Sequence, residues 1–188
     1  MKIFIGPYTN DDSERQVDIH IDNYDTWSMD HTLAMIILPM LRQLKETKHG
    51  APGVDDSDVP DELKSTSAPP KENDWDTDDN HFKRWDWALD EMIWAFEQIL
   101  IPDRESQFYS GTSDYLRVPL DEHNKPIGDP MTADEWFNSP EHENVYAWEM
   151  IKGPNHTWKV DHEGLDNWNK RLNNGLLLFG KYYQNLWD

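Results

Sequence analysis

Apolar positions recur at helical spacing in three stretches of the chain and alternate in short runs elsewhere. The strongest helical stretch is Asp79 to Leu100, where Phe82, Trp85, Leu89, Met92, Ile93, Phe96 and Leu100 fall on one stripe. Asp86, Asp90 and Glu91 interrupt that surface, and Trp87 and Trp94 lie on a second stripe. Aromatic residues on more than one side predict either central burial or a face offered to a partner. A second helix is expected over Met29 to Thr47, with Asp25, Ser28 or Asp30 as N-cap. Its middle, Leu33 to Leu44, is apolar nearly all round, which predicts burial on several sides. Pro39 should kink it, because the ring removes one hydrogen bond and crowds the preceding turn. A third helix is expected from Glu163 to Trp187, with Leu165, Trp168, Leu172, Leu176, Phe179, Tyr183 and Leu186 on its stripe. Gly175 and Gly180 inside it cost helix propensity but permit close packing.

Period-two alternation marks the strands. Lys2 to Ile5 is a short strand ended by Gly6-Pro7, and Thr9 to Glu14 is a polar turn. In Val17 to Asp22, Val17, Ile19 and Ile21 share one face and Asp18, His20 and Asp22 the other; this strand is expected to pair antiparallel with the first. Tyr115 to Leu120 is a further strand, and Asn124-Lys125-Pro126 a turn. Thr132 with Glu135 has the capping-box spacing for a short helix to Phe137. Tyr146 to Ile151 and Thr157 to Asp161 read as a hairpin turning at Gly153-Pro154-Asn155. Between the first two helices, Ala51 to Asp78 has no period and reads as a long polar loop, a length usually functional or disordered in compact domains. Trp75 predicts that part of it packs down. Thr77 is the expected cap of the following helix, with Asp78 and Asp79 in its first turn. The expectation is a single α+β domain, residues 1–188: a small, mostly antiparallel sheet packed with three long helices.

Charge narrows the functional classes. The chain of 188 residues carries 37 acidic and 17 basic side chains, a formal −20. Direct binding to a nucleic-acid backbone needs clustered Lys and Arg and is not expected. An acidic surface repels anionic membranes and suits a basic protein partner. Without cysteine, no disulfide, thiolate metal site or cysteine nucleophile is possible. No apolar run approaches the ~18 residues of a membrane span, and MKIFIGPY is too short and polar for a signal core. The expectation is an intracellular, soluble protein, in which the sequon at Asn155 is a chance match.

Four constellations bear on chemistry. Asp74, Asp76, Asp78 and Asn80 alternate like the early ligands of a calcium loop, but Asp79 stands where Gly is needed and Trp85 where the bidentate Glu belongs. His31, Asp78 and His81 offer imidazole and carboxylate to a divalent metal, or serve as hydrogen-bonding groups at helix starts. Asp86 and Asp90 share a face; burial would raise one pKa, exposure would leave them ordinary, and a buried one could instead pair with Arg84, Lys181 or a tyrosine hydroxyl. Trp87 and Trp94 could stack a base while Lys45, Lys48, His49, Lys83 and Arg84 hold a phosphate, or they pack the core. No Walker or dinucleotide glycine loop and no recognised nucleophile context occurs.

The segments YDTWSMDHTLAMIILPMLRQLKETKHGAP, VPDELKSTSAPPKENDWDTDDNHFKRWDWALDEMIWAFE and LFGKYYQNLWD, with the opening MKIFIGPY, resemble a family of uncharacterised tailed-bacteriophage proteins. In that family the stretch after the opening strand varies in length, and Thr9 to Arg15 is short here. The resemblance implies a setting, the cytoplasm of an infected bacterium, and no reaction; no catalytic residue carries over. The leading expectation is a non-enzymatic accessory protein that binds a host or phage protein or a small nucleotide-like defence signal, with no cofactor implied. A metal-dependent hydrolase built on His31, Asp78 and His81, and a minor virion or assembly component, are the alternatives. Acidic mimicry of DNA ranks below them because the charges lack regular spacing.

Overall fold

The structure is a computed structural model that describes residues 1–8, 14–138 and 145–187. The turn expected at Thr9 to Glu14 lies outside the described residues except for Glu14. The chain divides into two compact units, one of Met1–Arg104 with Asn167–Asp188 and one of Glu105–Asp166. The architecture is α+β, with three long helices, a short one and three two-stranded antiparallel ladders among the described residues.

In the first unit, β1 (Lys2–Ile5) pairs antiparallel with β2 (Val17–His20). Ile3 faces Ile19 and Ile5 faces Val17, so one side of the ladder is entirely aliphatic, while Lys2, Phe4, Asp18 and His20 form the other. A 3-10 turn at Asn23–Thr26 leads into α1 (Met29–Thr47). Burial on several sides of α1 is not found: Ala34, Leu38 and Leu41 form one buried stripe, and Leu33, Met35 and Met40 are exposed. Pro39 sits on the exposed side of the helix.

The segment after α1 is tied down through 3-10 turns at Asp56–Asp58, Asp61–Leu63 and Ser65–Ser67. Val54 and Val59, not Trp75, supply its buried side chains; Trp75 is exposed. The next helix, α2 (His81–Leu100), begins two residues later than expected and is capped at Asn80 rather than Thr77. The Asn80 amide is buried and donates to the carbonyls of Glu62 and Lys64, each at 3.2 Å, which joins the loop to the helix start. Along α2, Trp85, Ala88, Leu89, Met92, Ala95, Phe96 and Ile99 are buried. Burying one such large side chain contributes roughly 1.5–3 kcal/mol.

The last helix, α4 (His162–Lys181), belongs to the first unit from Asn167 on. It ends before the expected Trp187, and a 3-10 turn at Tyr183–Asn185 follows. Leu172, Leu178 and Tyr182 join the core around α2. Gly175 is buried against α2: a Cβ placed there would lie 2.5 Å from the Glu91 carbonyl oxygen and 2.6 Å from Ala95 Cβ. Only a residue without a side chain admits that approach.

In the second unit, β4 (Tyr115–Leu120) pairs with β5 (Ala147–Lys152), and β3 (Tyr109–Ser110) pairs with β6 (Lys159–Val160). The expected hairpin between the last two strands does not form. Residues 109–120 supply the partner of each instead. Asp114 gathers the intervening turn, its carbonyl accepting from Gly153 N at 3.0 Å and its carboxylate from Asn155 N at 2.8 Å. Thr112 N and Thr157 Oγ1 (2.9 Å) continue that seam. The short helix α3 (Ala133–Asn138) has the expected capping box: Thr132 N donates to Glu135 Oε2 at 2.7 Å and Glu135 N to Thr132 Oγ1 at 3.2 Å. No helix among the described residues is long and apolar enough to cross a membrane.

Gly175→Ala should destabilise the chain by about 1–3 kcal/mol through overpacking. Gly180, in the same helix, meets nothing within 4 Å, and Gly180→Ala should stabilise by about 0.5–1 kcal/mol through helix propensity. Urea unfolding of both variants checks the opposite signs; a shared sign would contradict the packing of α4 on α2.

Candidate functional site

The candidate cations and aromatics cluster on the helical unit, and the structure gives most of them partners. Arg84 is 5% exposed. Its Nη1 and Nη2 donate to the two Asp78 oxygens at 2.8 and 2.7 Å, and Nη1 also reaches the Leu63 carbonyl at 3.2 Å. Asp56 stands 3.9 Å away and accepts from Ser65 N and Oγ. The Arg84 guanidinium beside Asp78 holds that carboxyl at about 2, well below the usual range. This buried fork fastens the loop to the first turn of α2. The loop is fastened a second time at the end of α4. There Lys181 donates to Asp58 at 2.6 Å and lies 2.6 Å from Asp55, while Tyr182 donates to Asp58 at 2.5 Å and accepts from Asp55 N at 2.9 Å. Burial, and donation to Asp58, push the Tyr182 phenol up; Asp55 and Asp58 push the Lys181 ammonium up.

Along the seam of α1 and α2, Lys45 pairs with Asp90, Lys48 with Asp86 at 2.6 Å, and Arg42 with Glu97 at 2.7 Å. Asp86 and Asp90 are therefore neither an acid–base pair facing one another nor uncompensated carboxylates. Lys83 donates to Asn80 Oδ1 at 3.0 Å. His49 is exposed on the segment leaving α1. Trp87 and Trp94 are half-buried against the core. Trp94 also carries the Arg171 guanidinium 4.1 Å from its centroid, and Arg171 in turn forks onto buried Glu91 at 2.8 and 3.0 Å. Sequence reasoning missed that pair, since 80 residues separate its members.

The residues of the expected metal site are not brought together. His31 Nδ1 lies 3.4 Å from the Ile99 carbonyl, at the last turn of α2, whereas His81 Nε2 donates to the Ala51 carbonyl at 3.0 Å, at its first turn. Those ends are about 27 Å apart at 1.5 Å per residue. Asp78, near His81, is committed to Arg84. Among the described residues, no group of three or more His, Asp or Glu is arranged to hold a metal.

Among the apolar surfaces that no described element covers is the aliphatic side of the β1–β2 ladder. Ile3, Ile5, Val17 and Ile19 are between 40% and 58% exposed, and no residue of either strand is buried. Tyr24 and Trp27, in and just after the following 3-10 turn, are 85% and 86% exposed. The alternation of Val17, Ile19 and Ile21 was visible in the sequence; that no described element covers it was not. Comparison of the chain with protein-family models, with curated proteins and with solved structures finds no match.

Breaking the buried fork tests its place in the fold. Asp78→Asn leaves Arg84 buried without its counter-charge and should cost about 3–5 kcal/mol. Asp78 titrates at about 2 when folded and near 3.9 when unfolded, so its contribution of about 2–3 kcal/mol is full above pH ~4 and lost as pH falls towards 2. Urea unfolding across that range should show a shallower decline for Asp78→Asn than for the parent.

Proposed function

We propose that this chain is a phage-encoded accessory protein that works in the host bacterial cytoplasm by binding another protein, and that the docking part is the N-terminal hairpin. One observation carries the reading: four aliphatic side chains share a ladder face that no described part of the chain covers. An isolated two-stranded ladder is marginal in water, and a partner over its apolar face would bury what now faces solvent. Tyr24 and Trp27 add residue types that concentrate binding energy at interfaces. The formal −20 favours a partner with a basic rim.

The same considerations weigh against a nucleotide held on the helical unit. Lys45, Lys48 and Arg84 already meet carboxylates and Lys83 an amide oxygen. A phosphate there would have to displace a charge pair, one of them buried, against the field of a strongly acidic chain.

The hairpin residues are exposed, so Ile5→Asp with Ile19→Asp should leave the thermal midpoint within a few degrees of the parent's, about the shift of a surface substitution. Tagged parent protein, crosslinked in infected cells, should retain one stoichiometric protein partner that the double variant loses. Equal recovery by both, or no partner for either, would overturn the reading.

A further inference from the structure

Arg117, in the second unit, differs from the other arginines. Arg15, Arg42, Arg84, Arg104 and Arg171 each donate to a carbonyl or a carboxylate. Among the described residues the Arg117 side chain has no acceptor, and its Nη1 is buried without a hydrogen bond. What surrounds the guanidinium is aromatic: its central carbon lies 5.3 Å from the Phe137 centroid and 5.1 Å from that of Trp148.

Strand register explains how these groups meet. Arg117 sits on β4 opposite Met150 of β5. On its other edge it exchanges backbone hydrogen bonds with Met131, at 2.7 and 2.9 Å. Period two places Tyr115, Trp148 and Lys152 on the same side of the ladder, while Val118 and Leu120 are buried on the other. Phe137 arrives from α3, whose capping box fixes its first turn. Phe137 is 74% exposed and Trp148 47%, so both rings keep surface open to a further group.

A cation–π staple between α3 and the ladder would account for the rings but not for the buried, unpartnered Nη1. A buried Nη1 without an acceptor at an aromatic wall is unfavourable, because its desolvated N–H groups are left unpaired. Two oxygens of one carboxylate or phosphate match one edge of a guanidinium, which a shift of the exposed Phe137 ring would open, and the apolar walls strengthen the contact. A planar group attached to the oxyanion could lie on the exposed ring faces. We propose that Arg117, flanked by Phe137 and Trp148, is the centre of a binding site for a small ligand that carries a carboxylate or phosphate next to a planar ring. Lys152 on the same face adds a second positive charge. The site lies wholly in the second unit and does not depend on the hairpin.

The test uses the full chain labelled with nitrogen-15 and follows the arginine Nε–Hε signals. Inorganic phosphate, benzoate and adenosine monophosphate are added separately to about 10 mM, where even a millimolar site saturates. The Arg117 signal, assigned from its loss in Arg117→Lys, should move saturably with at least one of them while the other arginines stay in place. Response to phosphate and the nucleotide identifies a phosphate ligand; response to benzoate alone identifies a carboxylate. Arg117→Lys keeps the charge and the ring contact but not the fork, and should weaken calorimetric binding about tenfold or more, the scale of one lost charge-assisted hydrogen bond. Phe137→Ala should weaken binding while the Arg117 signal remains. No saturable shift with any probe, a uniform shift of all arginines, or unchanged affinity in Arg117→Lys would overturn the proposal. The first two outcomes are read on the parent protein and do not depend on any variant folding.

Discussion

The approach of α4 to α2 at Gly175 is the constraint on which the helical unit depends. The missing side chain, together with Ala95 opposite it, lets the two backbones come close enough for Leu172, Leu178 and Tyr182 to reach the core built on Trp85, Leu89 and Met92. Close-packed interiors tolerate neither a void nor an extra methyl at such a seam. Beside that seam the buried Glu91 carboxylate takes the Arg171 fork. The same exclusion applies where α1 lies on α2: Ala34, Leu38 and Leu41 fill the seam, and Lys45, Lys48 and Arg42 pair with Asp90, Asp86 and Glu97 along its edge.

In a chain with more than two carboxylates for each cation, where the cations go decides much of the architecture. Two of them fasten the long loop. Arg84 is buried and bidentate on Asp78, an arrangement costly to desolvate and costlier to break. Lys181 is exposed and contributes less through charge than through the geometry it shares with Tyr182 and Asp58. The loop also inserts Val54 and Val59 into the core. A segment without periodicity is thereby held on the core by side chains scattered along it, and it belongs with the packed structure rather than with the solvated surface.

Local signals in the sequence were legible where they had local causes. The span of α1 follows from its apolar run, and α3 from the reciprocal bonds of Thr132 and Glu135. The start of α2 was misplaced because Asp78 looked like a first-turn helix residue. Its carboxylate serves Arg84 and the Asn80 N–H, so the cap moves to Asn80. Strand pairing in the second unit was not legible either. The turn at Gly153 suggested a hairpin, but Asp114, some 40 residues earlier, captures the same backbone amide groups. The surroundings of α1 failed for a different reason. A helix that is apolar all round has the same sequence whether a core or a partner covers its outer side. Leu33, Met35 and Met40 are on that outer side. The candidate site divides likewise: the lysines and tryptophans of the helices were visible as residue types, but their engagement is a property of pairs distant in sequence.

Among the described residues, the hairpin face and Arg117 both lack a partner inside the chain, and their chemistries are opposite. The hairpin offers aliphatic surface with no fixed donors, which suits shape-matched contact with another protein and gives little discrimination among small polar ligands. Arg117 offers directed donors within aromatic walls, which suits one oxyanion and covers too little area to hold a protein by itself. Neither feature follows from the global charge. A field of −20 disfavours anions at long range, so an unpaired arginine fork could be effective only at contact distance, where geometry outweighs the distant field. The same field leaves an aliphatic face untouched, since apolar burial carries no charge. The two proposals together give an acidic chain one surface for a protein and another for a small anion, in separate units, without the two competing for the same cations.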